Sequence, residues 1–106
     1  MWRVELLDER VKAELDALPR DVRAKFAHIV RMIEEFGLEQ VHAPHVKHLV
    51  GRLWEMRMKG RDGIARAIYV TASRQRVVVV RAFAKRTRKT PRREIDLALK
   101  RAKEVT

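Results

Sequence analysis

The sequence contains no cysteine, and that absence excludes several classes of protein. Without thiols there is no disulfide scaffold, no thiol nucleophile and no zinc–thiolate site, so a reducing cytoplasm is the expected compartment. No apolar run approaches the roughly 20 residues that span a bilayer. The opening residues, MWRVELLDER, lack the apolar stretch of a signal peptide. The sequence therefore predicts a cytoplasmic protein with no membrane partner.

Aromatic residues are also scarce, at 6% of the chain. The hydrophobic fraction is nevertheless 46%, so the core is expected to consist mainly of aliphatic side chains and methionine. A chain of 106 residues can enclose one such core but not two. We expect a single domain over residues 1–106.

Acidic residues are few in the second half of the chain. Residues 1–50 hold 8 Lys and Arg against 9 Asp and Glu, whereas residues 51–106 hold 17 against 5. The whole net charge of +11 thus comes from the second half. Charge on one side of a protein is typical of a surface that meets a polyanion. Nucleic acid or the ribosome is favoured as the partner, with an acidic protein and an anionic membrane as the alternatives.

Familiar catalytic motifs are missing. There is no Gly-rich phosphate loop, no HExxH and no Ser or Cys in a nucleophile setting. Glu55 and Asp62 are too few carboxylates to hold a catalytic Mg²⁺. We therefore expect no metal and no other cofactor, and any chemistry on phosphate must be done by cationic side chains.

Periodicity and turn signals predict an α+β domain with the element order β-α-α-β-β-β-α. A short strand covers residues 2–7, and Asp8 caps a first helix that Pro19 ends. A second helix covers about 21–36, with Gly37 just beyond its end.

The remainder of the chain reads as a loop, a meander and a helix. Residues 38–51, which hold Pro44 and three histidines, are interpreted as a loop with one turn. Three strands are predicted at 52–59, 64–72 and 76–84, joined by hairpin turns. The run 77-VVVV-80 indicates a central strand that is covered on both faces. Thr90 and Pro91 predict the start of the last helix, with Thr as cap and Pro at its first position.

Cationic side chains are concentrated on this meander. Period-two alternation places Trp54, Met56 and Met58 on the inner face of their strand, and Glu55, Arg57 and Lys59 on the outer, solvent face. Arg66 is central in the next strand. Further cations follow along the third strand and the segment after it: Arg81, Lys85, Arg86, Arg88, Lys89, Arg92 and Arg93. Like charges this close repel unless an anion lies among them, so the pattern indicates a phosphate-binding concavity.

Such a site suits RNA, because an RNA phosphodiester carries its own nucleophile, the 2′-hydroxyl. Arg57, Arg66 and Arg86 cannot act as bases, and their role would be to stabilise the charge of the transition state. A lysine among arginines has its pKa lowered, which makes Lys59 or Lys85 a candidate proton carrier. A site built only of cations would need something else to hold the RNA in line.

Three histidines, His42, His45 and His48, recur at every third position. Imidazoles spaced by about one helical turn could ligate zinc, but Pro44 interrupts the helix that would align them. His45 or His48 could instead serve as a general acid or base beside the cations. Solvated loop histidines are the simplest interpretation.

Several motifs resemble those of a known family. The stretch LWEMR (53–57), the later Ala65–Tyr69 segment and FAKRTRKTP (83–91) are similar to the RelE/HigB group of bacterial toxins, in the phage-derived Gp49-like branch of the RelE/ParE superfamily. The likeness extends over essentially the whole chain. This sequence departs from relatives in having Ala65 where an aromatic is common, Arg81 where His is frequent, and Arg86 where Lys is common.

The resemblance implies a RelE-like fold and the toxin of a two-gene toxin–antitoxin module. Such toxins enter the ribosomal A site and cut mRNA without metal, through a 2′,3′-cyclic phosphate. A co-encoded antitoxin, in this branch a helix-turn-helix protein similar to HigA, blocks the site. Carried over by motif, Arg57, Arg66, Lys85 and Arg86 are the expected catalytic residues. The neighbouring cations are expected to bind RNA or the ribosome: Lys59, Arg81, Arg88, Lys89, Arg92 and Arg93.

Two other functions remain open at the level of sequence. The same superfamily includes ParE-like toxins that poison DNA gyrase and have no nuclease activity. A non-catalytic nucleic-acid-binding regulatory domain would also carry a one-sided basic charge. Fold alone does not choose among the three.

Overall fold

The computed structural model describes all 106 residues. Its three α-helices, one short 3-10 turn and five strands confirm the predicted α+β class. In chain order the elements are β1 (Arg3–Leu6), α1 (Glu9–Asp16), α2 (Arg20–Phe36), the 3-10 turn (Leu38–Gln40), β2 (Val46–Val50), β3 (Leu53–Gly60), β4 (Gly63–Ala72), β5 (Arg76–Lys85) and α3 (Arg92–Ala102). None of the helices is long and apolar enough to cross a membrane.

The five strands form one sheet in the order β1-β5-β4-β3-β2. Successive strands from β2 to β5 pair antiparallel, and for β3, β4 and β5 this is the pairing that the predicted hairpins require. Strand β1 pairs in parallel with β5, so the first strand of the chain closes the sheet beside the last. The predicted meander is confirmed as the centre of this sheet.

The segment predicted as a loop contains a strand. Strand β2 lies at the sheet edge and pairs with β3 through Val46 opposite Met56 and Lys47 opposite Glu55. The prediction was wrong here because Pro44 and the histidines suggested irregular structure. Only Val46 of the strand is buried, and an edge strand with one buried side chain has almost no apolar pattern to detect.

Helices pack on both faces of the sheet. Helices α1 and α2 pack on the first face, where Met56, Met58 and Ala67 contribute to the larger core. Helix α3 packs on part of the second face, over Ile68, Val80 and other apolar side chains. The central strand β5 supplies Val77 and Val79 to one side and Val78 and Val80 to the other, which confirms its predicted two-sided burial.

The turn between β3 and β4 is fastened to α2. Asp21, in the first turn of that helix, accepts a hydrogen bond from the backbone N–H of Asp62 at 3.0 Å. A Cβ at Gly60 would lie 2.4 Å from a carboxylate oxygen of Asp21, so any side chain there would displace this contact. The helix therefore fixes the end of the hairpin that carries Arg57 and Arg66.

Helix α3 begins one position later than the sequence predicted. Pro91 is the residue before its first turn and has extended backbone, with ψ near 144°. The hydroxyl of Thr90 does not cap the helix; it donates instead to the carboxylate of Glu55 at 2.6 Å. As a cap the hydroxyl oxygen would accept from a backbone N–H of the first turn, whereas here the hydroxyl makes a charge-assisted hydrogen bond to a buried carboxylate.

Candidate nucleic-acid interface

Strand register brings three of the predicted catalytic residues to one face of the sheet. Arg57 lies directly opposite Arg66, and Arg66 lies opposite Phe83. Lys85 lies opposite Ile64, two residues before Arg66 on the same strand. Because alternate residues of a strand share a face, these side chains project from the second face of the sheet. Helix α3 starts only at Arg92 and covers the sheet elsewhere, over Ile68 and Val80.

Two adjoining concavities open on this uncovered area. The first has a volume of about 460 Å³ and the second about 480 Å³. They share three lining residues: Arg57, Ile64 and Arg66. The first also has Lys25, Pro44, His45 and Lys59, and the second Lys85, Arg86, Thr87 and Arg88. We call the pair the cationic cleft. No carboxylate lines either half, so the cleft attracts anions.

Glu55 lies beneath the cleft, and its side chain is 3% exposed. One carboxylate oxygen is 3.3 Å from Nε of Arg66 and 3.7 Å from Nε of Arg57. The other accepts the hydroxyl hydrogen of Thr90. The sequence suggested a solvent-facing position for Glu55, and the structure corrects this: Glu55 is a buried support for both arginines.

Arg66 is the most buried arginine of the cleft, with a side chain that is 7% exposed. Burial lowers the pKa of Arg66 and the charge of Arg57 lowers it further, while Glu55 opposes both effects. An arginine still keeps its proton under such conditions. Nε of Arg66 lacks a well-aligned hydrogen-bond partner. The guanidinium is thus charged and incompletely paired, which suits it to bind a phosphate oxygen.

Lys85 closes the far end of the cleft and is 8% exposed. Its ammonium donates to the backbone carbonyl of Arg88, which holds the segment after β5 in a tight bend. Burial lowers the pKa of Lys85, and the charges of Arg66, Arg57 and Lys47 lower it further. The environment that the sequence suggested for a proton-carrying lysine is therefore present at Lys85.

His45 lies in the first half of the cleft, beside Arg57. Its backbone carbonyl accepts the Arg57 N–H at 2.8 Å, so the two residues are fixed relative to each other. Burial lowers the pKa of the His45 imidazole, and Lys25 and His28 lower it further. The ring is consequently neutral near pH 7 and able to accept a proton.

The other two histidines of the segment lie away from the cleft. His48 is hydrogen-bonded to the Gly51 carbonyl at 2.7 Å, and its ring packs on Trp54 at 5.1 Å. His42 lines a separate, mostly apolar concavity of about 390 Å³ beside Trp54 and Tyr69. The three rings do not converge, and no group of three His, Asp or Glu side chains could hold a metal ion.

Arg81 does not join the cleft, which corrects its assignment to the cationic cluster. Its guanidinium is 2.7 Å from a carboxylate oxygen of Glu94 and 2.8 Å from one of Glu14. Arg101 pairs with the same Glu14 at 2.8 Å. These ion pairs lie along the edge of β5, beyond the residues that pair with β1. Arg81 therefore links α1 and α3 to the sheet.

The remaining predicted cations occupy different positions. Lys59 lines the first half of the cleft, and Arg86 and Arg88 line the second. Lys89 and Arg93 are exposed nearby in the chain, and Arg92 is exposed but paired with Asp96 at 3.0 Å. The exposed cations of residues 86–93 thus form a border to the second half.

The sequence did not indicate that Lys25 and Ile64 line the cleft, or that Lys47 lies close enough to act on Lys85. Lys25 reaches the cleft from α2, and its distance along the chain gave no signal. Ile64, 41% exposed, is the one hydrophobic residue shared by both halves. Lys47 influences Lys85 from β2, a strand that was not predicted. Only the alternation of Ile64 with Arg66 could have indicated its place.

The arrangement can bind a phosphodiester and stabilise added negative charge. Arg57 and Arg66 would contact the non-bridging oxygens of the phosphate. The two halves of the cleft have room for the nucleotides on either side of that phosphate. Ile64 offers an apolar surface for a ribose or base. The neutral His45 and the Lys85 of lowered pKa supply groups able to exchange protons.

Comparison with known proteins defines the class first by fold. The chain matches one chain of the crystal structure of the archaeal RelE–RelB complex from Pyrococcus horikoshii OT3 with a TM-score of 0.55 and 22% sequence identity. The match covers 83% of this chain and 98% of the other. The fold is therefore RelE-like. Comparison with curated protein sequences finds no significant match.

The family is defined by sequence. Residues 13–103 match the family described as phage derived protein Gp49-like, and the chain belongs to that family. Together the two findings confirm the resemblance to RelE-type toxins of the Gp49-like branch that the LWEMR and FAKRTRKTP motifs indicated.

Proposed function

We propose that this protein is the toxin of a toxin–antitoxin module and cleaves mRNA on the ribosome without a metal. The observation that carries the proposal is the cationic cleft, which has seven Lys or Arg side chains and no carboxylate along its lining. Family membership and the RelE-like fold support the toxin class.

In the proposed reaction the scissile phosphate occupies the boundary between the two halves. Arg57 and Arg66 bind its non-bridging oxygens and stabilise the phosphorane, with Arg86 beside them in the second half. The 2′-hydroxyl of the preceding nucleotide attacks, and the products are a 2′,3′-cyclic phosphate and a 5′-hydroxyl. Ionised arginines supply the charge compensation that a metal ion provides in other nucleases.

The open shape of the cleft supports the proposed dependence on the ribosome. The lining holds phosphate and ribose but offers no deep pocket for a base, so alignment of the RNA must come from another surface. In the proposal the A site supplies that alignment in the cytoplasm. The exposed Arg88, Lys89, Arg92 and Arg93 then contact ribosomal RNA through its phosphates.

The proposed partner is an antitoxin protein. RelE in the matched structure is in complex with RelB. By analogy an antitoxin, in this branch a helix-turn-helix protein similar to HigA, would cover the cations of the cleft with acidic groups. Steering by opposite charges would speed this association.

Controlled expression in growing bacteria, with mapping of mRNA 5′ ends, tests the proposal. The wild-type chain is expected to stop growth and to produce cuts in phase with codons. Arg57→Ala removes a phosphate contact and should abolish both effects. Arg23→Ala removes an equal charge from the exposed surface of α2 and should abolish neither.

Other outcomes would replace the proposal. DNA breaks and an SOS response with intact mRNA would indicate a gyrase poison of the ParE type. Absence of toxicity, with only salt-sensitive binding to nucleic acid, would indicate a regulatory domain.

A further inference from the structure

We propose that His45 and Lys85 form the acid–base pair of the cleavage reaction, on opposite sides of a phosphate that Arg57 and Arg66 hold. His45 takes the proton of the attacking 2′-hydroxyl, and Lys85 delivers a proton to the departing 5′ oxygen. The inference rests on the proposed nuclease function and names the two groups that move protons in it.

The geometry of the cleft carries the assignment. Both halves contain Arg57 and Arg66, whereas His45 lies only in the first half and Lys85 only in the second. A phosphate on the shared arginines therefore has one proton carrier on each side. In-line displacement at phosphorus needs this arrangement, because the nucleophile enters opposite the leaving group.

The surroundings of His45 fit the role of base. The groups that face it are Lys25 and His28 from α2, Arg57 and Lys59 from β3, and Arg66 from β4. No carboxylate is among them, so nothing stabilises an imidazolium before substrate binds. The ring edge of His45 meets His28 with centroids 6.3 Å apart, and the carbonyl contact with Arg57 fixes its backbone.

The surroundings of Lys85 fit the role of acid. Its stem is buried beside Arg66, and its ammonium is held by the Arg88 carbonyl at the wall of the second half. Burial and the neighbouring cations lower the pKa of the Lys85 ammonium, which makes it a stronger acid than a free lysine. A proton donor of this kind suits an alkoxide leaving group.

The step balances in atoms and charge. The 2′-hydroxyl proton passes to an imidazole nitrogen of His45 as the 2′ oxygen bonds to phosphorus. The bond from phosphorus to the 5′ oxygen breaks, its electron pair stays on that oxygen, and the oxygen takes a proton from Lys85. The products are a cyclic phosphate, a 5′-hydroxyl, an imidazolium and a neutral amine. Exchange with water restores both side chains.

Single-turnover cleavage on programmed ribosomes tests the pair, at the cut site that the wild-type protein selects. His45→Ala and Lys85→Met are each expected to reduce the rate by about 100-fold or more. His45→Ala should also remove the rise of rate with pH on the acid side. His42→Ala, three residues away and outside the cleft, is the control and should keep the wild-type rate and pH profile.

An RNA with sulfur in place of the 5′ bridging oxygen separates the two roles. A thiolate leaves without a proton, so this substrate should restore Lys85→Met and Lys85→Arg to near the wild-type rate. It should leave His45→Ala impaired. Recovery of the lysine variants also shows that they are folded.

Three results would overturn the inference. If His45→Ala cleaves within about threefold of wild type with an unchanged pH profile, His45 is not the base. If the sulfur substrate restores both variants equally, or neither, the division of roles is wrong. If the wild-type protein does not cleave programmed mRNA at all, the proposed function fails and the pair fails with it.

Discussion

Glu55 shows how one residue can decide the character of a site without lining it. A buried carboxylate beside two guanidinium groups offsets part of their mutual repulsion, so Arg57 and Arg66 can lie on directly opposed positions of neighbouring strands. The same carboxylate holds Thr90 and so ties residues 86–91 to the sheet. Arrangement of the cleft depends on this single negative charge.

Glu55→Gln is expected to reduce the free energy of unfolding by about 2–4 kcal/mol, because it leaves the buried Arg66 without its charge partner. The amide can still accept the hydroxyl hydrogen of Thr90, so the loss reports the ion pairs. Urea unfolding measures it. Glu104→Gln removes a carboxylate from the exposed pair with Arg10 and should change stability by less than about 1 kcal/mol. Equal losses of stability from the two substitutions would show that the ion pairs of Glu55 stabilise the fold no more than an exposed pair does.

Side-chain roles were only partly predictable from the sequence. Parity along β3 and β4 correctly brought Arg57 and Arg66 together, because alternation is a local rule. It could not show that Glu14 and Glu94, distant along the chain, would neutralise Arg81. Trp54 was predicted on the inner face but is 39% exposed, since it lies near the β2 edge of the sheet, beside the apolar concavity.

At the scale of elements, α1 and α3 meet the free edge of β5 through charged groups. Glu14 of α1 accepts the backbone N–H of Ala82 and pairs with Arg81 and Arg101. Burial alone would raise the pKa of Glu14, but hydrogen bonds from Arg101 and Ala82 and the charge of Arg81 together lower it. The ionised carboxylate thus accepts a backbone N–H of β5, at Ala82, that β1 is too short to pair with.

This arrangement predicts a specific dependence of stability on pH. Because the pKa of Glu14 is lower in the folded protein than its ordinary value of 4.5, its contribution is complete above that value and disappears as pH falls through the lower one. Glu14→Gln should lose about 2–3 kcal/mol at pH 7. The difference from wild type should shrink steadily below pH 4.5. Unfolding in urea across pH 3 to 7 measures it, and a constant difference would contradict the assignment.

Elements were more predictable than their ends. The sequence predicted helices α1 and α2 and strands β3 to β5 correctly. Each of these five elements has a clear hydrophobic periodicity and a turn or helix-stop signal at its end. Strand β2 was missed because pairing with β3, rather than its own composition, makes it a strand. The start of α3 was misplaced because the hydroxyl of Thr90, predicted to cap the helix, donates to the carboxylate of Glu55 instead.

At the scale of the molecule, the positive charge is concentrated in the second half of the chain. The first half is nearly neutral and supplies helices α1 and α2, whereas the second half supplies most of the cleft and its border. We therefore expect a polyanion to bind on one side of the protein. Binding should depend steeply on salt, since each phosphate contact releases counterions.

Paired alanine substitutions can locate this surface. Arg88→Ala with Lys89→Ala, in and beside the second half of the cleft, should reduce the slope of log K against log salt for single-stranded RNA by about 1.4, or about 0.7 for each lost phosphate contact. Lys100→Ala with Lys103→Ala removes equal charge near the end of α3 and should leave the slope nearly unchanged. Equal losses from both pairs would mean that RNA contacts the protein without preference for the cleft.

Because α3 starts only at Arg92, it affects which substitutions the second face of the sheet tolerates. The helix shelters one part of the second sheet face and leaves the neighbouring part bare, while α1 and α2 enclose the opposite face completely enough to sustain the larger core. Cationic side chains of the cleft and packing side chains therefore occupy alternate positions on the same strands. We expect the exposed cations to be exchangeable with little loss of stability, so the charge of the cleft and the stability of the fold can vary independently.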